Sequence, residues 1–230
     1  MKTYASLMML CLASGNLWAA EATDLKTQEQ RLSYNFGYQQ GNTFKQNDVA
    51  IDAEVFLRGL KDALSGRASA LSDAEMQATI KAFTEQRAKQ ANELGANNLK
   101  EGADFLAANK KKSDVKTLPS GLQYTILKPG EGKSPSIDDT VVAHYRGTLL
   151  NGKEFDSSYS RKEPATFPLR NVIKGWQEAL PLLREGGKIK IFVPSDLAYG
   201  ARGAGGQIGP NATLIFDIEL ISVQSAAKPK

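Results

Sequence analysis

Apolar residues recur at helical intervals from Thr23 to about Asn109, and beyond Leu118 they recur at alternate positions. In TDLKTQEQRLSYNFGYQQGNTFKQ, Leu25, Leu32, Phe36 and Phe44 keep helix-compatible spacing, although Gly37 and Gly41 weaken it. DAEVFLRGLKDAL places Val55, Phe56, Leu60 and Leu64 on a second helix, which SGR ends. A third opens on SDAE, with Ser72 as N-cap and Glu75 three residues on, the pattern of a capping box. It runs without a proline to about Asn109, roughly 57 Å at 1.5 Å per residue.

This third helix is uneven. Met76, Ile80 and Phe83 form an apolar stripe, but from Thr84 to Asn98 the only large apolar residue is Leu94. A mostly polar helix bridges through solvent rather than packing into a core, which makes it a stalk, with Gly95 and Gly102 as points of bending. The Leu-, Phe- and Tyr-rich segment before it is too short to bury much surface alone. That predicts dimerisation through these helices, with a hairpin folded back on the stalk as the alternative.

After SDVKTLPSG the period becomes that of strands: GLQYTILK, TVVAHYRGTLL, ATFPL, KIKIFV and TLIFDIELISV, separated by Gly, Pro, Asn and Ser. In the last, Leu214, Phe216, Ile218 and Leu220 alternate with Ile215, Asp217, Glu219 and Ile221, one face buried and one mostly wet. NVIKGWQEALPLL carries Val172, Ile173, Trp176, Ala179 and Leu180 on one side of a short helix that Pro181 limits. The expected fold class is α+β: an antiparallel sheet covered by one short helix, preceded by an all-α region.

Composition changes this picture little. The 230 residues carry a net charge of +4, with 41% hydrophobic and 23% charged residues, ordinary values for a globular protein. The one dense basic run, NKKKSDVK, has no interleaved aromatics and reads as a solvated helix end, so no nucleic-acid partner is expected. The first twenty residues have the layout of a secretory leader: Lys2, the apolar run YASLMMLCLA, then small residues, with cleavage after Ala20 or Ala22. Cys11, the only cysteine, lies inside that run, so an exported mature chain would form no disulfide.

Most chemical motifs fail. GEGKS lacks the first glycine of a phosphate-binding loop, since Leu127 holds that position. GARGAGGQIG misses the dinucleotide fingerprint, whose third glycine would fall on Ile208. With one histidine, His144, pointing away from the buried face, neither a metal site nor a cofactor is expected. The sequon-like NAT at Asn211 reads as a turn into the last strand.

What remains is aromatic. Tyr145, Phe155, Phe167, Trp176, Tyr199 and Phe216 all fall where alternation or helix face points inward. They form either a plain core or the wall of a concave pocket. The pocket is the more economical reading, because polar tips beside Asp156 and Arg161 each need a partner.

HYRGTLLNGKEFDSSYSR, VIKGWQEAL, LAYGARG and NATLIFDIELISV resemble, in order and spacing, the FKBP-type peptidyl-prolyl isomerases over about Leu118–Val223. The helical first half, stalk and leader resemble the macrophage infectivity potentiator (Mip-like) branch of exported bacterial dimers. The resemblance implies a twisted sheet wrapped round one helix, with the proline site between them. Carried over by position, Trp176 is the floor of that site. Tyr145, Phe155, Phe167, Phe216, Val172 and Ile173 are its walls, with Ile208 and Tyr199 at the rim. The Ile173 N–H and Tyr199 hydroxyl would bind peptide carbonyls, and Asp156, held by Tyr145 and Arg161, would sit beside the rotating amide. Ala165, Ala204 and Gln207 stand where other members carry bulkier groups, which implies a more open rim.

The expected organisation is therefore a signal peptide (1–20), a helical dimerisation domain (21–71), a stalk and linker (72–117), an isomerase domain (118–225) and a tail (226–230). The implied partners are unfolded or proline-containing exported proteins, a second copy of the chain, and macrolide inhibitors. The implied location is the periplasm of a Gram-negative bacterium, with outer-membrane association or surface exposure as further alternatives. A dimeric holdase that grips unfolded chains between two stalks is the competing reading.

Overall fold

The computed structural model describes residues 25–225. The expected leader and the five-residue tail lie outside the described residues. The chain divides into two compact units, residues 1–43 and 44–230.

In the first unit the described residues belong almost entirely to α1 (Gln28–Gln46). Thr27 starts it: its hydroxyl accepts from the Gln30 N–H at 3.1 Å while the Gln30 side chain accepts from the Thr27 N–H at 3.1 Å. That exchange satisfies two of the donors a helix start leaves open. Gly37 and Gly41 do not interrupt the helix, and none of its residues is buried.

In the second unit, Asp52 caps α2 (Ala53–Leu64) by accepting from the Glu54 and Val55 N–H groups at 3.0 and 3.1 Å. Phe56 packs edge-on against Phe44 at 5.6 Å. The capping box read from SDAE is present: Glu75 N–H donates to Ser72 Oγ and the Ser72 N–H to Glu75 Oε2. The helix it opens, α3 (Asp73–Asn109), runs 37 residues without a break. No residue from Asp73 to Leu94 is buried, in keeping with a solvated stalk. The remaining turns differ from the expectation. Gly95, Gly102 and Asn109 are buried, so the two glycines serve close packing against the β-rich part rather than bending. Phe105 lies 5.7 Å from Phe192, and Asn109 Nδ2 donates to Gln123 Oε1 at 2.9 Å.

The sheet contains β1 (Lys116–Thr117), β2 (Gln123–Lys128), β3 (Thr140–Leu149), β4 (Glu154–Ser157), β5 (Ala165–Pro168), β6 (Lys188–Val193) and β7 (Leu214–Gln224). All pairings are antiparallel, in the order β1-β2-β6-β7-β3-β4, with β5 also on β3. The far edge of β3 is thus shared, its first residues pairing with β5 and its last with β4. Alternation holds on β3, where Val141, Ala143, Tyr145 and Gly147 are buried. It holds too on β7, with Leu214, Phe216, Ile218 and Leu220 inside. Against this face lies the short helix α4 (Lys174–Ala179), continued by a 3₁₀ turn at Leu180–Leu182 where Pro181 ends the α pattern. The α+β expectation holds. The strands it lacked are two short ones, β1 and β4.

Candidate active site

One crossing in the sheet creates the site. Gly147, two residues beyond Tyr145 on the inward face of β3, pairs with Asp156 of β4 on one side and Phe216 of β7 on the other. A Cβ there would lie 2.6 Å from Phe155 Cζ and 2.9 Å from Phe216 Cε1. The missing side chain therefore lets two aromatic rings close over the strand, a common use of glycine inside a strand. Phe155 and Phe216 meet edge-to-face at 5.6 Å and 85°. Trp176, from α4, is the hub beneath them. It makes edge contacts with Tyr145 at 5.3 Å, Phe216 at 5.5 Å and Phe167 at 5.7 Å, the arrangement aromatic quadrupoles favour.

These rings enclose a cavity of about 240 Å³. Tyr145, Phe155, Phe167, Trp176 and Phe216 line it, together with Val172, Ile173, Asp156, Tyr199 and one residue sequence reasoning missed, Asn171. No periodicity could have flagged Asn171, which ends the 3₁₀ turn Leu169–Asn171 just before Val172. Trp176 is 4% exposed, and its Nε1–H has no hydrogen-bond partner among the described residues. An unpaired buried donor costs about 1–3 kcal/mol, so this N–H is available to an acceptor brought in by a ligand.

Into this apolar wall the chain sets one carboxylate. Asp156 Oδ2 accepts from the Tyr145 hydroxyl at 2.5 Å, and Oδ1 accepts from Arg161 Nη1 at 2.5 Å. Arg161 Nη2 donates to the Tyr145 oxygen at 2.7 Å, and the guanidinium lies 5.6 Å from the centre of the Tyr145 ring. The three groups form a closed triangle that fixes the direction of the charge. Burial pushes Asp156 upward, but the hydrogen bonds from Tyr145 and Arg161 outweigh it and hold the carboxyl below its usual value. Burial, then the bond to Asp156, pushes the Tyr145 hydroxyl up, and the charge of Asp156 adds to burial in raising Tyr199. The site therefore presents a carboxylate and two protonated phenols across the neutral range.

The other sequence-selected residues fall as follows. Arg161 does not line the cavity and acts through Asp156 and Tyr145. Ile208 does not line it either: it is 8% exposed, packs into the core, and exchanges backbone hydrogen bonds with Ala204 at 2.9 and 3.0 Å. Tyr199 stands at the mouth, 40% exposed. Ile173 caps α4: its carbonyl accepts from the Trp176 and Gln177 N–H groups, while its own N–H has no backbone partner among the described residues. His144 lies on the outer face of β3, as read, yet it is not a bare surface residue. Its Nδ1 is 2.9 Å from Ser158 Oγ, and its ring stacks on Tyr159 at 4.7 Å.

Two larger cavities, about 480 and 470 Å³, lie beside α2. The first has no aromatic ring and is lined mainly by charged residues, with Asp62 paired to Arg58 and Arg67; the second has a single ring, Phe56. Among the described residues no cluster of His, Asp or Glu could hold a metal ion. The arrangement around Trp176 suits binding and polarising a neutral group without forming a bond to it.

Comparison with known proteins points the same way. The profile described as FKBP-type peptidyl-prolyl cis-trans isomerase matches residues 131–221. A second, described as the domain amino terminal to such isomerases, matches residues 29–126. The chain is 46% identical to the peptidyl-prolyl cis-trans isomerase Mip of Coxiella burnetii, over 90% of this chain and 91% of that protein. It is 42% identical to the outer membrane protein MIP of Legionella longbeachae, over 99% of both. The crystal structure of FkpA from Escherichia coli superposes with a TM-score of 0.61 at 39% identity, covering 88% of this chain and all of that one.

Proposed function

The chain belongs to the FKBP-type peptidyl-prolyl cis-trans isomerases and is an enzyme of that class, and from that premise we propose that the X–Pro bond turns in the aromatic cavity above Trp176. The observation that carries this assignment is the position of Asp156, a carboxylate pinned by Tyr145 and Arg161 in the wall of an aromatic-floored cavity.

Rotation about X–Pro breaks amide resonance against a barrier of about 18–20 kcal/mol. No covalent bond is made or cleaved, so the reaction needs no nucleophile and no cofactor. The planar amide is more charge-separated than the twisted one, and an apolar enclosure therefore favours the twisted form. Dipoles already fixed in direction add to this as charge shifts during the turn, without reorganising at that moment. A rate gain of about 10⁶ corresponds to roughly 8 kcal/mol. In this scheme Trp176 supports the prolyl ring, and the Ile173 N–H and Tyr199 hydroxyl hold flanking carbonyls. Asp156 acts as an oriented charge beside the rotating carbonyl rather than as a base. Titrating the protein with a short X–Pro peptide tests the location. The Trp176 indole N–H resonance is expected to shift first, and shifts confined to α2 would contradict the assignment.

The organisation expected from the sequence is carried forward: helices of 21–71 for dimerisation, a stalk and linker over 72–117, and the isomerase domain over 118–225. The exposed apolar residues of α2, Val55 at 63% and Leu60 at 47%, support a homodimer joined through this region. The protein is exported to the periplasm and acts there on proline-containing clients, and it associates with the outer membrane. No helix among the described residues is long and apolar enough to cross a membrane. Macrolides that mimic a prolyl group would compete for the cavity. The same exposed apolar faces favour a second activity, holding unfolded chains. If so, full-length Asp156→Leu suppresses client aggregation as well as the parent protein does.

A further inference from the structure

The end of the stalk is seated on the loop that borders the cavity. Gly95, Gly102 and Asn109 are spaced by seven residues, about two helical turns, and so share one face of α3. Opposite that face runs the segment Gly209–Thr213. A Cβ on Gly102 would collide with Thr213 Oγ1, and one on Gly95 would come within 3.1 Å of Asn211 Nδ2 and 3.2 Å of Pro210 Cβ. Asn98, between the two glycines, donates its side-chain N–H to the Pro210 carbonyl at 2.7 Å. Asn211 Nδ2 reaches back to the Gly95 carbonyl at 3.4 Å.

Asn211 also faces the other way. It holds a left-handed backbone, φ 56°, which is uncommon for a residue with a side chain and persists only where the surroundings enforce it. In that conformation its backbone N–H donates to the Gly200 carbonyl at 2.8 Å. Gly200 directly follows Tyr199, whose side chain lines the cavity mouth. The loop between is closed on itself by the Ala204–Ile208 exchange. Helix face, Asn211 and Tyr199 therefore form one continuous set of contacts. The seam is not solid, since a cavity of about 250 Å³ lies along it, bordered by Leu94, Asn98, Leu149 and Gly209. The loop has room to shift if its fastening is removed.

We propose that Asn98 and Asn211 are positioning residues of the isomerase, and that the Gly95–Gly102 face of the stalk sets where Tyr199 stands and hence how tightly peptide is held. This rests on the cavity being the isomerase site. It gives the stalk a role in peptide affinity besides spacing.

The test uses the full-length protein with Asn98→Ala, Gly102→Ala and a control, Gly59→Ala, whose added methyl meets nothing within 4 Å. The amide resonances of Tyr199 and Gly200 are recorded, then KM and kcat for X–Pro peptide isomerisation. Asn98→Ala and Gly102→Ala are expected to move both resonances and to raise KM about threefold to tenfold, the weight of one part-buried hydrogen bond, with kcat within about twofold. Gly59→Ala should change neither. Unmoved resonances would overturn the proposal whatever happens to activity. So would moved resonances with unchanged KM, or a lowered melting temperature as the only effect. Asp156→Leu, run in parallel, separates the two ideas: if it is fully active, the cavity assignment fails, while the resonance result still decides the coupling.

Discussion

Gly147→Ala asks whether the cavity walls are held in place or merely rest there. The new methyl carbon would sit 2.6 and 2.7 Å from two carbons of the Phe155 ring and 2.9 Å from Phe216 Cε1. Carbon–carbon contacts are optimal at about 3.5–4.0 Å, so the rings must retreat by about 1 Å. Phe216 is 4% exposed and backed by Trp176, and it has nowhere to go. Phe155 is only half-buried, so it gives way. Forcing an extra methyl into a packed site costs about 1–3 kcal/mol, while replacing glycine in a strand returns about 0.5–1 kcal/mol of backbone entropy. The net expectation is destabilisation of about 0.5–2 kcal/mol. It should appear as a lower urea midpoint with unchanged m, because the surface exposed on unfolding is the same. Isomerase activity of the folded fraction should fall about tenfold, since the displaced ring borders the cavity. Gly152→Ala is the comparison: its φ of 82° strains an alanine, but nothing lies within 4 Å, so stability falls and activity per folded molecule does not. Wild-type stability and activity in Gly147→Ala would refute the reasoning.

Three further expectations follow from the same geometry. Arg161→Ala removes half of the fastening of Asp156, but the pair is 46% and 44% exposed. Thermal unfolding should scarcely change while peptide exchange slows about tenfold, and Arg161→Lys, which lacks the two-pronged contact, should recover only part of the rate. Because Asp156 is held below its usual value, its contribution to stability is present above about pH 3.9 and is lost as pH falls through the lowered value. The isomerase rate should accordingly be flat between about pH 5 and 8, and a titration midpoint near 6 or 7 would contradict a carboxylate that never accepts a proton. Light scattering should give twice the chain mass for the full-length protein, and Val55→Asp with Leu60→Asp should give monomers that still turn over short peptides.

Much of the fold could be read where a strand was long enough to alternate. β3 and β7 announced themselves through Val141, Ala143 and Tyr145 and through Leu214, Phe216 and Ile218. β4 did not, because Glu154–Ser157 sets its single ring between two acidic residues, a polar run with no alternation to read. Nor could alternation reveal that β3 is flanked by β7, β4 and β5, since pairing depends on which distant strands close together. The inward aromatics were legible for the same reason as the strands. The roles of Asp156 and Arg161 were not; they came from the resemblance, since nothing in the spacing says that two side chains five residues apart clasp a tyrosine. Ile208 was assigned to the rim by the resemblance, but here the glycine-rich loop folds its one large apolar side chain into the core. Gly95 and Gly102 illustrate a general ambiguity. A glycine in a helix marks either a weak point or a close approach, and only the partner decides, here Pro210 and Thr213.

The central claim is that Asp156, as an oriented charge in the Trp176 cavity, accelerates rotation of the X–Pro bond. Exchange spectroscopy on a short X–Pro peptide measures that rotation directly, with the mature protein, with Asp156→Leu and with no protein. The account predicts faster exchange with the parent protein and a loss of about tenfold or more in a folded Asp156→Leu variant. Undiminished exchange in that variant would contradict it.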